Sequence, residues 1–325
     1  MGGMTQPVYV GIDVGGTNLR SASFIGHSAT PARKRKVPSR QPATHETILA
    51  DLAQAVESVL PPGISHPAAV GVAIPGPVNP RTGVVVIATN LKGWENLPLG
   101  PRLSEKLGCP VVVGNDANLA AVGEWKFGAA SGYHDVLFLT VSTGIGGGVI
   151  LDDRLLLGVN GLAAEVGHIQ VEPDGEPCNC GQRGCLETVA AGPAIARHAI
   201  AQLQTGAAHE SALRAFNDGD VSRLTTVQIG QAAAAGDSFA QEQIRASGRR
   251  IGRAIASMLA LYNPAVVVVG GGVSFTGDLF MAPLREAVAA SGLPESYWKG
   301  MPIVPAALGD DAGLIGAAAA AMGSA

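Results

Sequence analysis

Apolar residues along the chain fall into short continuous runs and longer stretches at helical spacing. The runs at 8–14, 19–25, 69–74, 110–113, 136–141 and 265–269 predict strands. Those at 69–74 and 265–269 are apolar enough to be buried on both faces. Weaker strand signals cover 34–37, 84–87 and 149–151. Over 44–60, Ile48, Leu49, Leu52, Val56, Val59 and Leu60 recur at the spacing of one helix face, and Pro61-Pro62-Gly63 stops the helix. Further helices are predicted from Asn115-Asp116 to about Phe127, through most of 193–262, over 283–290, and in the Ala-rich segment 312–322. The order strand, glycine turn, strand occurs at residue 8 and again at residue 136, which points to a duplicated unit. Strands mixed with helices in both halves predict two α/β lobes with a cleft between them. The restart of the pattern sets the boundary within 117–135. The expected lobes are therefore 1–118 and 119–310.

Three glycine-rich turns each follow a strand: Asp13-Val14-Gly15-Gly16-Thr17, Ser142-Thr143-Gly144-Ile145-Gly146-Gly147-Gly148, and Gly270-Gly271-Gly272. Glycine lets backbone N–H donors approach a phosphate closely, and Thr17, Ser142 and Thr143 add hydroxyls. None is a Walker loop, because no Gly-Lys-Ser/Thr occurs. The second is not a dinucleotide fingerprint, because Val149 occupies the third glycine position. Asp13 ends a strand beside the first turn, where a carboxylate either holds Mg²⁺ or caps the turn.

Asp116 follows a strand and opens a helix. It is placed either to cap that helix or to serve as a general base at the carboxyl end of a strand, where a helix N-terminus favours the ionised form. His168, Cys178, Cys180 and Cys185 lie within one short stretch. Three thiolates and an imidazole make a closed tetrahedral Zn²⁺ site of the structural kind. Glu165 and Glu187 flank that cluster; they are either solvated surface acids or, where a metal pins their neighbours, acids held rigidly enough to meet a sugar's hydroxyls. Cys109 stands apart and reads as an inert buried thiol.

Composition narrows the partners. Of 325 residues, 47% are hydrophobic and 15% charged, which supports a sizeable core and argues against disorder. The net charge of −4 gives no global basic field for nucleic acid. The one basic run, Arg33-Lys34-Arg35-Lys36, reads as a charged strand edge. The 44 glycines show no three-residue period, which excludes collagen. The longest apolar run, 312–322, is too short for a bilayer, and the start lacks the features of a signal peptide. The expectation is a cytoplasmic protein with neither membrane nor nucleic-acid partner.

These strings together resemble the ROK family (repressors, open reading frames and kinases) of the actin-like ATPase superfamily, which includes hexokinases. The resemblance covers 11–20, 74–80, 89–94, 114–127, 139–148, 164–168, 178–187 and 267–274. Its most specific part is Cys-x-Cys-Gly-x-x-Gly-Cys at 178–185, with Glu-x-Gly-His upstream at 165–168. The resemblance implies an α/β fold of two actin-like (ribonuclease H-like) lobes, with ATP and Mg²⁺ in the central cleft and the final helix, about 311–325, returned to the first lobe. It implies that Asp13, Gly15, Gly16 and Thr17 serve phosphates and metal, that Thr143 and Gly144 serve phosphates from the second lobe, and that Gly271 and Gly272 lie by the adenosine. Asp116 matches the catalytic base. Gly76, Asn90, Asn115, Glu165, His168 and Glu187 match sugar-binding positions, and His168 also matches a zinc ligand.

The implied activity is ATP-dependent phosphorylation of a hexose 6-hydroxyl, with glucose first. The Gly-Cys-Leu-Glu-Thr string at 184–188 supports that order. N-acetylmannosamine, N-acetylglucosamine and fructose are alternative acceptors. A sugar-sensing repressor is a remote alternative, since only 12 residues precede Asp13, too few for a helix-turn-helix. A homodimer or homotetramer is the implied assembly.

Overall fold

The computed structural model describes residues 6–88, 91–206 and 208–324. The elements in chain order are β1 (Val8–Val14), β2 (Asn18–Ile25), β3 (Arg33–Pro38), α1 (His45–Val59), β4 (Ala69–Ile74), β5 (Val78–Asn79), β6 (Val84–Val85), α2 (Leu99–Leu107), β7 (Val111–Asn115) and α3 (Asp116–Phe127). They continue with β8 (Val136–Val141), β9 (Ile145–Leu151), β10 (Arg154–Leu155), α4 (Leu186–Ala190), α5 (Gly192–Gln204), α6 (Thr226–Ala234), α7 (Ser238–Tyr262), β11 (Val266–Gly270), α8 (Asp278–Ala289), β12 (Ile303–Pro305) and α9 (Ala312–Met322).

The chain parts into two compact units. One comprises Met1–His134, Gly148–Ala164 and Ala307–Ala325, and the other Asp135–Gly147 and Glu165–Ala306. The first unit thus runs through α3 to His134, takes back Gly148–Ala164, and regains the chain again at Ala307. Its sheet has the order β3-β2-β1-β4-β7. The β3–β2 and β2–β1 pairs are antiparallel, and β1–β4 and β4–β7 are parallel. The second sheet has the order β10-β9-β8-β11-β12, with β10–β9 antiparallel and β8–β11 and β11–β12 parallel. Strand for strand this order repeats the first, so the faint duplication read from the glycine turns is a repeat of topology.

In the first unit α1 covers one face of the sheet. Thr44 caps it in a capping box with Thr47, and its apolar stripe packs on Val10, Ile12, Val14, Val70 and Val72. The opposite face carries α9, with Leu314, Ile315 and Ala318 against Tyr9 and Phe24. This helix lies on bare backbone. A Cβ on Gly71 would sit 1.8 Å from the Ala317 carbonyl oxygen, and one on Gly11 2.3 Å from that of Leu314. The same closeness joins α3 to α9, where a Cβ on Gly316 would meet the Leu119 carbonyl oxygen at 1.7 Å. An Ala-rich helix is what such a crossing admits.

Three local expectations change in the structure. Gly146, Gly147 and Gly148 lie inside β9 rather than in a turn, which is confined to residues 142–144. Gly147 is needed because a Cβ there would strike Val166 and the Phe138 carbonyl oxygen. Helix α8 starts five residues before Pro283, drawn out by burial of Phe280 and Met281 beneath α7, where Gly248 admits the Phe280 carbonyl oxygen. The run 84–87 yields only a two-residue strand paired with β5, and Val86 and Ile87 stay exposed. Among the described residues, no helix is long and apolar enough to cross a membrane.

Candidate functional site

In the first unit the candidate residues gather at the carboxyl edge of the parallel strands. Asp13 pairs in register with Ala73, and Ile74 with Asn115, so β1, β4 and β7 end together. Two strand spacings then separate the ends carrying Asp13 and Asp116 by about 10 Å. Asn115 caps α3: its side-chain oxygen accepts the N–H groups of Ala117 (3.0 Å) and Asn118 (3.1 Å). Its amide nitrogen donates to the Gly76 carbonyl at 3.3 Å, which joins two predicted sugar-site positions. Gly76 has φ +106°, and a Cβ there would meet the Ile87 carbonyl oxygen at 2.7 Å. Asp116 is not the cap. It takes the first helical position, half-buried, and accepts the Ala117 N–H at 2.8 Å. Asn90 lies outside the described residues.

Gly16 and Thr17 are exposed in the turn between β1 and β2, and Gly15 is half-buried there. The turn is held from the strap after β3: Ser39 donates its hydroxyl to the Gly15 carbonyl (2.6 Å) and its N–H to that of Thr17 (2.9 Å), and the Gln41 amide donates to the Gly16 carbonyl (2.6 Å). Asp13 is buried and forms an ion pair with Arg20, whose guanidinium also donates to the Asp310 carbonyl at 2.7 Å. Burial pushes the Asp13 carboxyl above the usual carboxylate range, and Arg20 only partly offsets this. Sequence reading missed Arg20. The signal was present, because the short hairpin places Arg20 directly opposite Asp13.

In the second unit the turn at Ser142–Gly144 is closed by the Ser142 N–H donating to Gly144 (2.8 Å), and Ser142 in turn accepts the Gly192 N–H (2.8 Å). Thr143 is exposed within it. Glu187 reaches the same turn and accepts the Ile145 N–H at 2.9 Å, in the space that Gly144 leaves by having no Cβ. Gly271, at φ +86°, lies against Val141, where a Cβ would fall 2.4 Å from the carbonyl oxygen, and Gly272 is exposed beside it. Glu165 and Glu187 are close enough to interact. Desolvation raises the Glu165 carboxyl, His168 lowers it, and Glu187 raises it further.

The ligating atoms of His168, Cys178, Cys180 and Cys185 all lie within 4.8 Å of one another. The Cys178 Sγ–His168 Nδ1 separation is 3.5 Å, and that of the Cys180 and Cys185 sulfurs is 3.6 Å. A tetrahedron with Zn–S near 2.3 Å and Zn–N near 2.0 Å has edges of roughly 3.5–3.8 Å, so the donor set fits that ion. Burial, with the neighbouring thiols, pushes the Cys185 thiol up to about 12, so without a cation it stays protonated. Gly184 makes the crowding possible: at φ +65° it lies where a Cβ would strike the Glu172 carbonyl oxygen.

The chain belongs to the ROK family, whose profile matches residues 9–323. It is 37% identical to a glucokinase of Halalkalibacterium halodurans over 96% of this chain and 94% of that protein. It is 32% identical to an N-acetylmannosamine kinase of Citrobacter koseri over 96% of this chain and 98% of the other. The crystal structure of a Streptomyces griseus ROK glucokinase with glucose and AMPPNP superposes with a TM-score of 0.82 at 35% identity, covering 97% of this chain and 99% of that one. The two-unit α/β fold is therefore that of the actin-like ROK sugar kinases.

Proposed function

We infer that this protein is an ATP-dependent hexose kinase that converts glucose and ATP to glucose 6-phosphate and ADP in the cytoplasm, as a homodimer or homotetramer. The observation that carries the reading is Asp116. It is a half-buried carboxylate at the end of β7, with helix capping left to Asn115 and with Asn115 and Gly76 joined beside it.

In this reading Asp116 accepts the proton of the sugar 6-hydroxyl while that oxygen bonds to the γ-phosphorus. The bond from phosphorus to the β,γ-bridging oxygen breaks, and ADP leaves. Asn90, Asn115, Glu165, His168 and Glu187, with the Gly76 turn, hold the sugar. Backbone donors at Gly16, Thr17, Thr143 and Gly144 neutralise phosphate charge, Gly15 shapes that turn by closing its N–H onto the Asn18 carbonyl, and Gly271 and Gly272 line the adenosine. Asp13 would hold Mg²⁺, which supplies charge neutralisation on the phosphates. His168, Cys178, Cys180 and Cys185 would hold a structural Zn²⁺ that fixes the start of α4, the helix carrying Glu187.

A coupled ADP-release assay over glucose, mannose, fructose, N-acetylglucosamine and N-acetylmannosamine is expected to show glucose with the highest kcat/KM. Preference for N-acetylmannosamine, the acceptor that the Citrobacter likeness favours, would replace the sugar and keep the chemistry. Asp116→Asn is expected to leave the fold intact and lower kcat at least ~100-fold. Turnover near the wild-type rate would remove Asp116 from the mechanism.

A further inference from the structure

The first unit holds a cavity of about 210 Å³ between the β1–β3 side of its sheet and helix α1. Leu19, Ile48, Leu52 and Trp94 give it an apolar floor, and Arg35, Ser39, Arg40 and Asp51 stand at its rim. A cavity of roughly 150 Å³ suffices for a benzene ring, so this one has room for a phenyl-sized body with a short tail.

The rim carries an unused charge. Along β3, side chains alternate between the two sheet faces. Lys34 bonds Asp311 at 2.6 Å, Arg33 donates to the Leu60 carbonyl at 2.7 Å, and Arg40 pairs with Asp51 at 3.1 Å. Among the described residues, Arg35 has neither an ion pair nor a side-chain hydrogen bond. Arg35 also lies on the face of β3 that it shares with Arg33 and Val37, toward α1, where the cavity is. An apolar hollow with one unpaired guanidinium at its mouth selects an amphiphile with a single carboxylate.

We propose that this cavity binds a small aromatic monocarboxylate, its ring in the hollow and its carboxylate on Arg35, and that occupancy steadies the Gly15–Thr17 turn. The link is Ser39. It lines the cavity and makes two of the three bonds that hold the turn from the strap, to Gly15 at 2.6 Å and to Thr17 at 2.9 Å. The binding site stands whether or not the protein is a kinase. Only its effect on nucleotide rests on that reading.

The test uses the full chain, with 3-phenylpropionate and its neutral counterpart 3-phenylpropanol as probes in calorimetry. The acid is expected to bind saturably, one per chain, about tenfold more tightly than the alcohol, as a charge-assisted bond implies. Arg35→Gln, a change on an exposed edge strand, is expected to erase that difference. Ala55→Leu, which fills the hollow from α1, is expected to abolish binding of both probes, with circular dichroism confirming the fold. Saturating acid is expected to slow amide exchange at Gly15 and Ser39, whose N–H groups bond the Asn18 and Thr17 carbonyls, at least about threefold, a readout that needs no nucleotide. Absence of saturable binding, equal affinity in Arg35→Gln and wild type, or binding that survives in folded Ala55→Leu would each overturn the site. Unchanged exchange at the turn would overturn the coupling. A chain that binds the acid in this manner yet fails to use ATP would refute the kinase and leave the site standing.

Discussion

The Asp13 carboxylate is buried at the end of β1, and Arg20 does not fully offset its desolvation, so its proton affinity rises on folding. A carboxyl group whose folded value is raised contributes stability below its unfolded value, and loses it as pH rises through the folded value. At neutral pH the ionised group therefore costs stability, which is tolerable where a cation is to be bound. Asp13→Asn is expected to melt at or above the wild-type temperature at pH 7, with the advantage shrinking as pH falls toward 4, while phosphoryl transfer is lost. Arg20 keeps the Asp310 carbonyl in that variant and is not left unpaired. Melting curves of both proteins across that range decide it, and a variant less stable at pH 7 would show that the Arg20 pair outweighs burial. Arg20 was legible from hairpin register. Ser39 and Gln41 were not, because their bonds to the turn depend on how the strap after β3 folds back.

At the scale of elements, α9 owes its place to what its neighbours lack. Gly11 and Gly71 on the sheet and Gly123 on α3 leave backbone against backbone. Gly71→Val would push side-chain atoms into the Ala317 carbonyl and is expected to cost about 3 kcal/mol or more, the upper end of overpacking. Denaturant unfolding measures this, and a loss below about 1 kcal/mol would mean that the helix slides freely. Glu124 secures the same junction from α3. Fully buried, it accepts the N–H groups of Ala129 (2.8 Å), Ala307 (3.0 Å) and Leu308 (2.7 Å), tying the end of α3 to the segment that leads into α9. The sequence predicts a helix from Asn115-Asp116 to about Phe127. It gave no hint of Glu124, since an acid inside an apolar stripe looks like surface until its acceptor role is seen.

For the molecule as a whole, the proposed zinc joins local order to chemistry. Cys185 immediately precedes α4, and Glu187 in that helix accepts the Ile145 N–H beside the Ser142–Gly144 turn. About one zinc per chain is expected by metal analysis of protein purified without chelator. Cys180→Ser is expected to lose most of that metal and to melt roughly 3 °C lower, about 2 kcal/mol at this chain length. Full metal retention with unchanged melting would exclude Cys180 as a ligand. The matched order of the two five-stranded sheets extends the faint repeat of strand and glycine turn to a whole topology.

Local signals did not reach α2 or the short strands β5, β10 and β12, but sufficed for the longer strands, the helix at 44–60, the family strings and the four clustered metal-type ligands. Those features depend on neighbours in sequence, where period, turn chemistry and ligand spacing act directly. Tertiary structure alone decided that three of the glycines after Val141 belong to a strand, that Asn115 rather than Asp116 caps α3, and that Arg35 is left without a partner above a hollow. Each of these turns on which distant backbone or side chain arrives at the same place, and no short-range pattern encodes that.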